Sequence, residues 1–136
     1  MSIRAQRSVT FTADDMEAID LFYACKHLAD KKRLRIRNEA CIAAVLNVCK
    51  NSGYPESQYS VLAEKDGTVC LVRNHEARKW EAFLLDGEDK CGLRSFNSLE
   101  DACLHFLDGL SYSIEDKKEM QARFRKMVEE LVESAS

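Results

Sequence analysis

The residues best suited to chemistry are six cysteines, at positions 25, 41, 49, 70, 91 and 103, and three histidines, His27, His75 and His105. A catalytic Cys–His pair needs a thiol whose pKa is lowered in a cleft. A structural zinc site needs thiolates and imidazoles at short, regular spacings. No two cysteines here form CxxC, and none stands at a zinc-knuckle distance from a histidine. Several cysteines fall where a helix or strand would place an apolar residue, so they read as small buried hydrophobes. His105 follows Cys103 and precedes Phe106, at the margin of an apolar helical stripe. There is no GxGxxG, GxxxxGK[ST] or HExxH.

Carboxylates are the other source of chemistry: Asp86, Glu88, Asp89, Glu100, Asp101, Asp108, Glu115 and Asp116. Acid–base work requires one of a pair to be buried with a raised pKa. These residues stand instead in turns and first helical turns, where acids are solvated or favoured by the helix dipole. The acids between 86 and 101 admit two readings, a solubilising surface or an anionic face for a basic partner. The opposite charge concentrates in residues 26–37, KHLADKKRLRIR. Such a run is either a solvated helix face or a contact for phosphates, and no recognition-helix or base-stacking pattern accompanies it.

The elements that must position these groups follow from periodicity. The chain has 136 residues, 46% apolar and 32% charged, with one Pro, five Gly and a net charge of −3, which predicts one soluble α+β domain over 1–136. Residues 1–7 and 133–136 are expected to be frayed, and 8–11 to form a short lead-in strand. Thr12 and Asp15 make a capping-box-like start, and Met16, Ile19, Phe22 and Tyr23 predict a first helix ending near Leu28 to Asp30. A second helix, capped by Asp30 or Asn38, runs through RNEACIAAVLNVCKNSG and stops at Gly53 before Pro55. The period then shortens. YSVLAEKDGTVCLVRN reads as a hairpin about Asp66-Gly67, and RKWEAFLLDGEDKCGLRSF as another about Asp86-Gly87. Trp80, Ala82 and Leu84 share one face, and Glu81, Phe83 and Leu85 the other. Ser98 caps a helix whose stripe is Leu99, Ala102, Cys103, Phe106, Leu107 and Leu110. Ser113 caps a last helix carrying Met120, Phe124, Met127, Val128 and Leu131. The predicted layout is ααββββαα, with the four strands in an antiparallel meander. MSIRAQRSVTF has no long apolar run behind its basic start, and no stretch reaches a membrane span. A reducing cytoplasm is therefore the expected compartment.

The run WEAFLLDGEDKCGLRSFNSLEDACLHFLDGL, from Trp80 to Leu110, resembles a pattern of small bacterial immunity proteins. These are the cytosolic antidotes of contact-dependent growth inhibition and other polymorphic toxin systems. The likeness lies in an aromatic-started strand, a charged Gly-containing turn, a strand ending in Phe, a polar cap and an A-C-x-x-F-L helix. Trp80, Gly87, Phe96, Ser98, Ala102, Cys103, Phe106 and Leu107 carry it. The resemblance implies a non-enzymatic antitoxin that binds a cognate toxin domain, expected to be a nuclease, and neutralises it by occlusion. It implies no catalytic residue, cofactor, metal or membrane partner. The expected partner-binding residues are Asp86, Glu88, Asp89, Arg94, Glu100 and Asp101. The alternative is an adaptor or regulatory protein with weak nucleic-acid contact through residues 31–37.

Overall fold

The computed structural model describes residues 13–135, apart from the side chains of Asp14 and Asp15. The expected strand at 8–11, the Thr12 cap and the frayed segment 1–7 lie outside those residues. The elements are α1 (Ala13–Asn51), a 3-10 turn (Glu56–Gln58), β1 (Tyr59–Val61), β2 (Val69–Asn74), β3 (Lys79–Asp86), β4 (Asp89–Phe96), α2 (Leu99–Leu110) and α3 (Ile114–Ala135). Residues 13–35 and residues 36–135 belong to two compact units, and α1 contributes to both. The second unit is an α+β fold. Its sheet has the order β1-β2-β3-β4.

Two expectations are corrected. The helices predicted before the sheet are one helix, because residues 30–38 hold neither Gly nor Pro and consist mainly of good helix formers. Asp30 does not start a helix. Its carboxylate accepts from Arg33 one turn on, and Asn38 lies within the same helix. The sheet is also mixed rather than a pure antiparallel meander, since β1 runs parallel to β2. The Asp66-Gly67 turn does not join two antiparallel strands. Leu62, at φ 69°, turns the chain out of β1 while its N–H still donates to Leu71 O at 2.7 Å. Residues 62–68 then carry the chain back so that β2 starts beside β1 in the same direction. At the other end of the chain the residues expected to fray, 133–135, complete α3.

The stop of α1 follows the sequence closely. Gly53 adopts φ 82°, Tyr54 N–H donates to Cys49 O and Gly53 N–H to Lys50 O, each at 3.2 Å. That is a Schellman closure, which satisfies carbonyls the helix would otherwise leave bare. Ser98 and Ser113 act as the expected caps, accepting from Asp101 N–H at 3.3 Å and Asp116 N–H at 3.0 Å. Each cap satisfies one orphan donor and fixes where an apolar stripe begins.

The core lies between one face of the sheet and the helices. All six residues of the α2 stripe are buried. They pack with Ala40, Cys41, Ala44, Val45, Val48 and Cys49 of α1, with Leu71 and Ala82 of the sheet, and with Met120, Phe124 and Val128 of α3. The opposite sheet face buries a smaller group, Cys70, Val72, Phe83 and Leu85. The strand alternation read from the sequence therefore holds. Ala82 pairs with Arg94 and Leu84 with Cys91, so Gly92 and Leu93 stand together opposite Phe83. Gly92 has φ 66°, the left-handed glycine that such a bulge requires.

The buried cysteines are free thiols. Burial pushes Cys41 up to about 11 and Cys49 up to about 12, and drives Cys103 upward as well. The native state therefore keeps protons that the unfolded chain releases near the ordinary thiol value of 9.0. Their contribution is complete below that value and is lost as pH rises through the folded values. In reducing buffer, the urea midpoint is expected to be flat from about pH 6 to 8 and to fall above about 9, at roughly 1.4 kcal/mol per pH unit per thiol. Cys49→Ala should make that fall shallower. A second expectation concerns the bulge: Gly92→Ala should cost about 1–2 kcal/mol, measured by urea unfolding, because it forces a Cβ onto a left-handed residue.

Candidate partner-binding surface

The tip of the β3–β4 hairpin is a two-residue turn, Gly87–Glu88, between the paired Asp86 and Asp89. Positive φ occurs at Gly87 alone, at 62°, the pattern of a type II′ turn that follows the twist of the strands. The turn is tied to the loop between β1 and β2. Gly87 N–H donates to Asp66 Oδ1 at 2.7 Å, Gly67 N–H donates to Leu85 O at 2.8 Å, and Leu85 N–H donates to Thr68 O at 2.9 Å. Thr68 is buried, and its hydroxyl donates to Lys65 O at 2.7 Å. One end of the sheet thus gathers Glu64, Asp66, Asp86, Glu88 and Asp89, all exposed.

Two lysines share this end, but their charges do not cover the tip. Lys90 lies across the second sheet face, 4.9 Å from the centre of the Phe83 ring, 3.7 Å from Glu64 and 3.9 Å from the buried Glu81. Glu81 in turn accepts from Asn74 Nδ2 at 3.1 Å. Lys65 reaches back to the carbonyl of Glu56 at 3.5 Å. Glu88 and Asp89 are left facing solvent on a backbone fixed by three hydrogen bonds.

The six residues expected to bind a partner do not form one face. Asp86, Glu88 and Asp89 come together. Arg94 lies along β4 with its guanidinium 5.6 Å from the Phe96 ring centre. Glu100 and Asp101 stand in the first turn of α2, beyond the far end of β4. An eight-residue strand is about 25 Å long, so the acids at the two ends cannot meet one small epitope. Glu100 is also committed within the fold. Arg37 of α1 donates to Glu100 Oε1 from Nε at 3.1 Å and from Nη2 at 2.7 Å, and Nη2 also donates to Glu129 of α3 at 2.8 Å. These bonds to Glu129 and Glu100 raise the Arg37 pKa. Arg37 is therefore a clamp among three helices, which removes it from the basic run as a phosphate contact. Sequence reasoning missed Glu64 and Asp66 as neighbours of the tip. The signal was present: one Asp-Gly turn precedes the second strand and the other follows the third, and antiparallel pairing of those two strands brings both turns to one end of the sheet.

A shallow groove of about 270 Å³ lies between β3, β4 and α2, and Cys91, His105 and Asp108 line it. These types suit a nucleophilic triad, but their bonds run elsewhere. His105 Nε2 is 3.4 Å from Gly92 O, and its ring packs on Phe96 at 5.6 Å. Asp108 pairs with Lys117 at 3.3 Å. Among the described residues no group of three His, Cys, Asp or Glu side chains is arranged to hold a metal ion.

Near α3, Asp116 Oδ2 accepts the Tyr54 hydroxyl and, at 3.1 Å, the Tyr112 N–H. These two bonds hold the Asp116 carboxyl below the usual range. Among the described residues no helix is long and apolar enough to cross a membrane. No protein-family model, no curated protein and no solved structure matches this chain.

The Arg37 clamp generates a prediction that separates its two partners. The Arg37 side chain is 39% exposed and that of Glu100 30%, whereas Glu129 is 64% exposed. Glu100→Gln should therefore lower stability by about 1 kcal/mol, whereas Glu129→Gln should cost no more than a few tenths, after allowance for solvent screening. Urea denaturation of the two variants at low and high salt measures the difference.

Proposed function

We propose that this chain is an immunity protein, an antitoxin that binds a basic toxin domain, a nuclease, and neutralises it by occlusion. The observation that carries the reading is the anionic end of the sheet, where Glu64, Asp66, Asp86, Glu88 and Asp89 converge on two turns tied by backbone hydrogen bonds. A nuclease must hold phosphates, so the groups around its site are cationic. A preordered cluster of carboxylates presents the opposite potential at the same scale, speeding encounter and fixing orientation. Because the turn is held by Asp66 and Gly67, little ordering cost remains to be met on binding. Occlusion requires no turnover. Burial keeps Cys41, Cys49 and Cys103 as thiols, which takes half of the six cysteines out of nucleophilic chemistry. The resemblance of residues 80–110 to immunity proteins points the same way, and the proposed site of action is the cytoplasm.

The test is co-expression with the product of the adjacent gene, followed by affinity purification and a growth assay. A stoichiometric complex and rescue of growth from a toxic neighbour are expected. Replacing both Glu88 and Asp89 with Lys should slow association with that toxin by at least about tenfold at low salt, measured by stopped flow or surface plasmon resonance. An unchanged association rate would exclude the hairpin tip as the binding surface.

A further inference from the structure

Residues 13–35 of α1 carry more apolar surface than a solvated helix needs. Leu21, Phe22, Tyr23, Leu28 and Leu34 are each 61–65% exposed. One line along this segment has regular four-three spacing: Ala18, Leu21, Cys25, Leu28 and Lys32. That is the seam spacing of a two-stranded coiled coil. All five residues are exposed. The opposite line begins with Met16, Ile19 and Tyr23 but is then broken by Lys26, Asp30 and Arg33, the last two being paired with each other. Only the first line is apolar through its middle.

The charges around that line decide what fits it. Glu17 and Asp20 lie before the apolar centre, and Lys31 and Lys32 lie after it; all four are exposed. A parallel second helix would set Lys32 against Lys32 in the seam and place Phe22, not a cation, across from Glu17. An antiparallel copy sets Glu17 beside Lys31 at both ends of a two-fold axis, so the surface is complementary to itself. In that register Leu21 faces the second copy's Cys25, and Ala18 faces its Leu28, with small residues opposite large ones.

We infer that residues 13–35 form the dimerisation surface of this protein, an antiparallel helix pair with a second copy of the chain centred near Tyr23. This surface is independent of the anionic sheet end proposed for toxin binding, and either reading can fail without the other.

The test is sedimentation of the full chain in reducing buffer over about a hundredfold range of concentration. The expected result is a concentration-dependent species of twice the 15.5 kDa chain mass. Leu21→Glu should return the protein to monomer while leaving the urea transition of the α+β unit in place. Glu17→Lys should weaken the dimer by about tenfold, and adding Lys31→Glu to it should restore the affinity. Ala18→Cys with Leu28→Cys, in a chain also carrying Cys25→Ser and Cys91→Ser, should form a covalent dimer on oxidation. Those two positions are about 15 Å apart along one helix, too far to bridge within a chain. A monomer at every concentration would overturn the inference. So would a dimer indifferent to Leu21→Glu, a charge reversal that fails to restore binding, or a dimer that the cysteine pair cannot trap.

Discussion

The second unit depends on the burial of one side of α2. Half of its twelve residues are buried, and they share one core with the sheet, the C-terminal half of α1 and α3. Burial of Phe106 and Leu107 alone is worth roughly 3–6 kcal/mol relative to exposure, of the order of a small domain's whole net stability. The other devices serve to aim that stripe. Ser98 sets its first turn, the Arg37 clamp fixes that turn against two other helices, and the sheet presents Leu71 and Ala82 to its centre.

The same arrangement leaves the proposed binding surface elsewhere. With one sheet face covered by α2, the ends of the hairpins are the rigid parts left to solvent. The β1–β2 loop is anchored on the hairpin tip through Asp66, so it is an extension of the sheet rather than a loose connection. Antiparallel pairing of β2 with β3 makes this possible. The segment that enters β2 and the turn that leaves β3 stand at the same end of the sheet, so the five carboxylates share it.

Much of this was legible in the residues themselves. The stripe of α2, the Ser98 and Ser113 caps, the stop at Gly53 and the two faces of β3 follow from local rules, because each concerns residues within one or two turns of one another. The continuity of α1 was misread for a physical reason. Apolar periodicity fails across Lys31 to Arg37, and a lapse in periodicity looks like a break, although helix propensity there stays high. The direction of β1 was hidden because Asp66-Gly67 is a good turn in either topology, and its residues do not mark which way β1 pairs with β2. Glu100 was read as a surface acid because its cation, Arg37, is distant in sequence. Non-local pairing defeated the last of these readings.

The bulge at Gly92 has a consequence for the life of the molecule before any partner arrives. β4 is the last strand of the sheet and is exposed along nearly its whole length. A straight strand in that position offers an open row of amide and carbonyl groups to any other extended chain, and nascent or misfolded polypeptides would add to it as further strands. The extra residue at Gly92–Leu93 breaks the even spacing of that row, and Lys90 and Arg94 flank the break with charge. A foreign strand could match no more than three or four consecutive positions. At this edge the sheet is thereby terminated by an interrupted row of backbone groups and flanking charge rather than by a covering element.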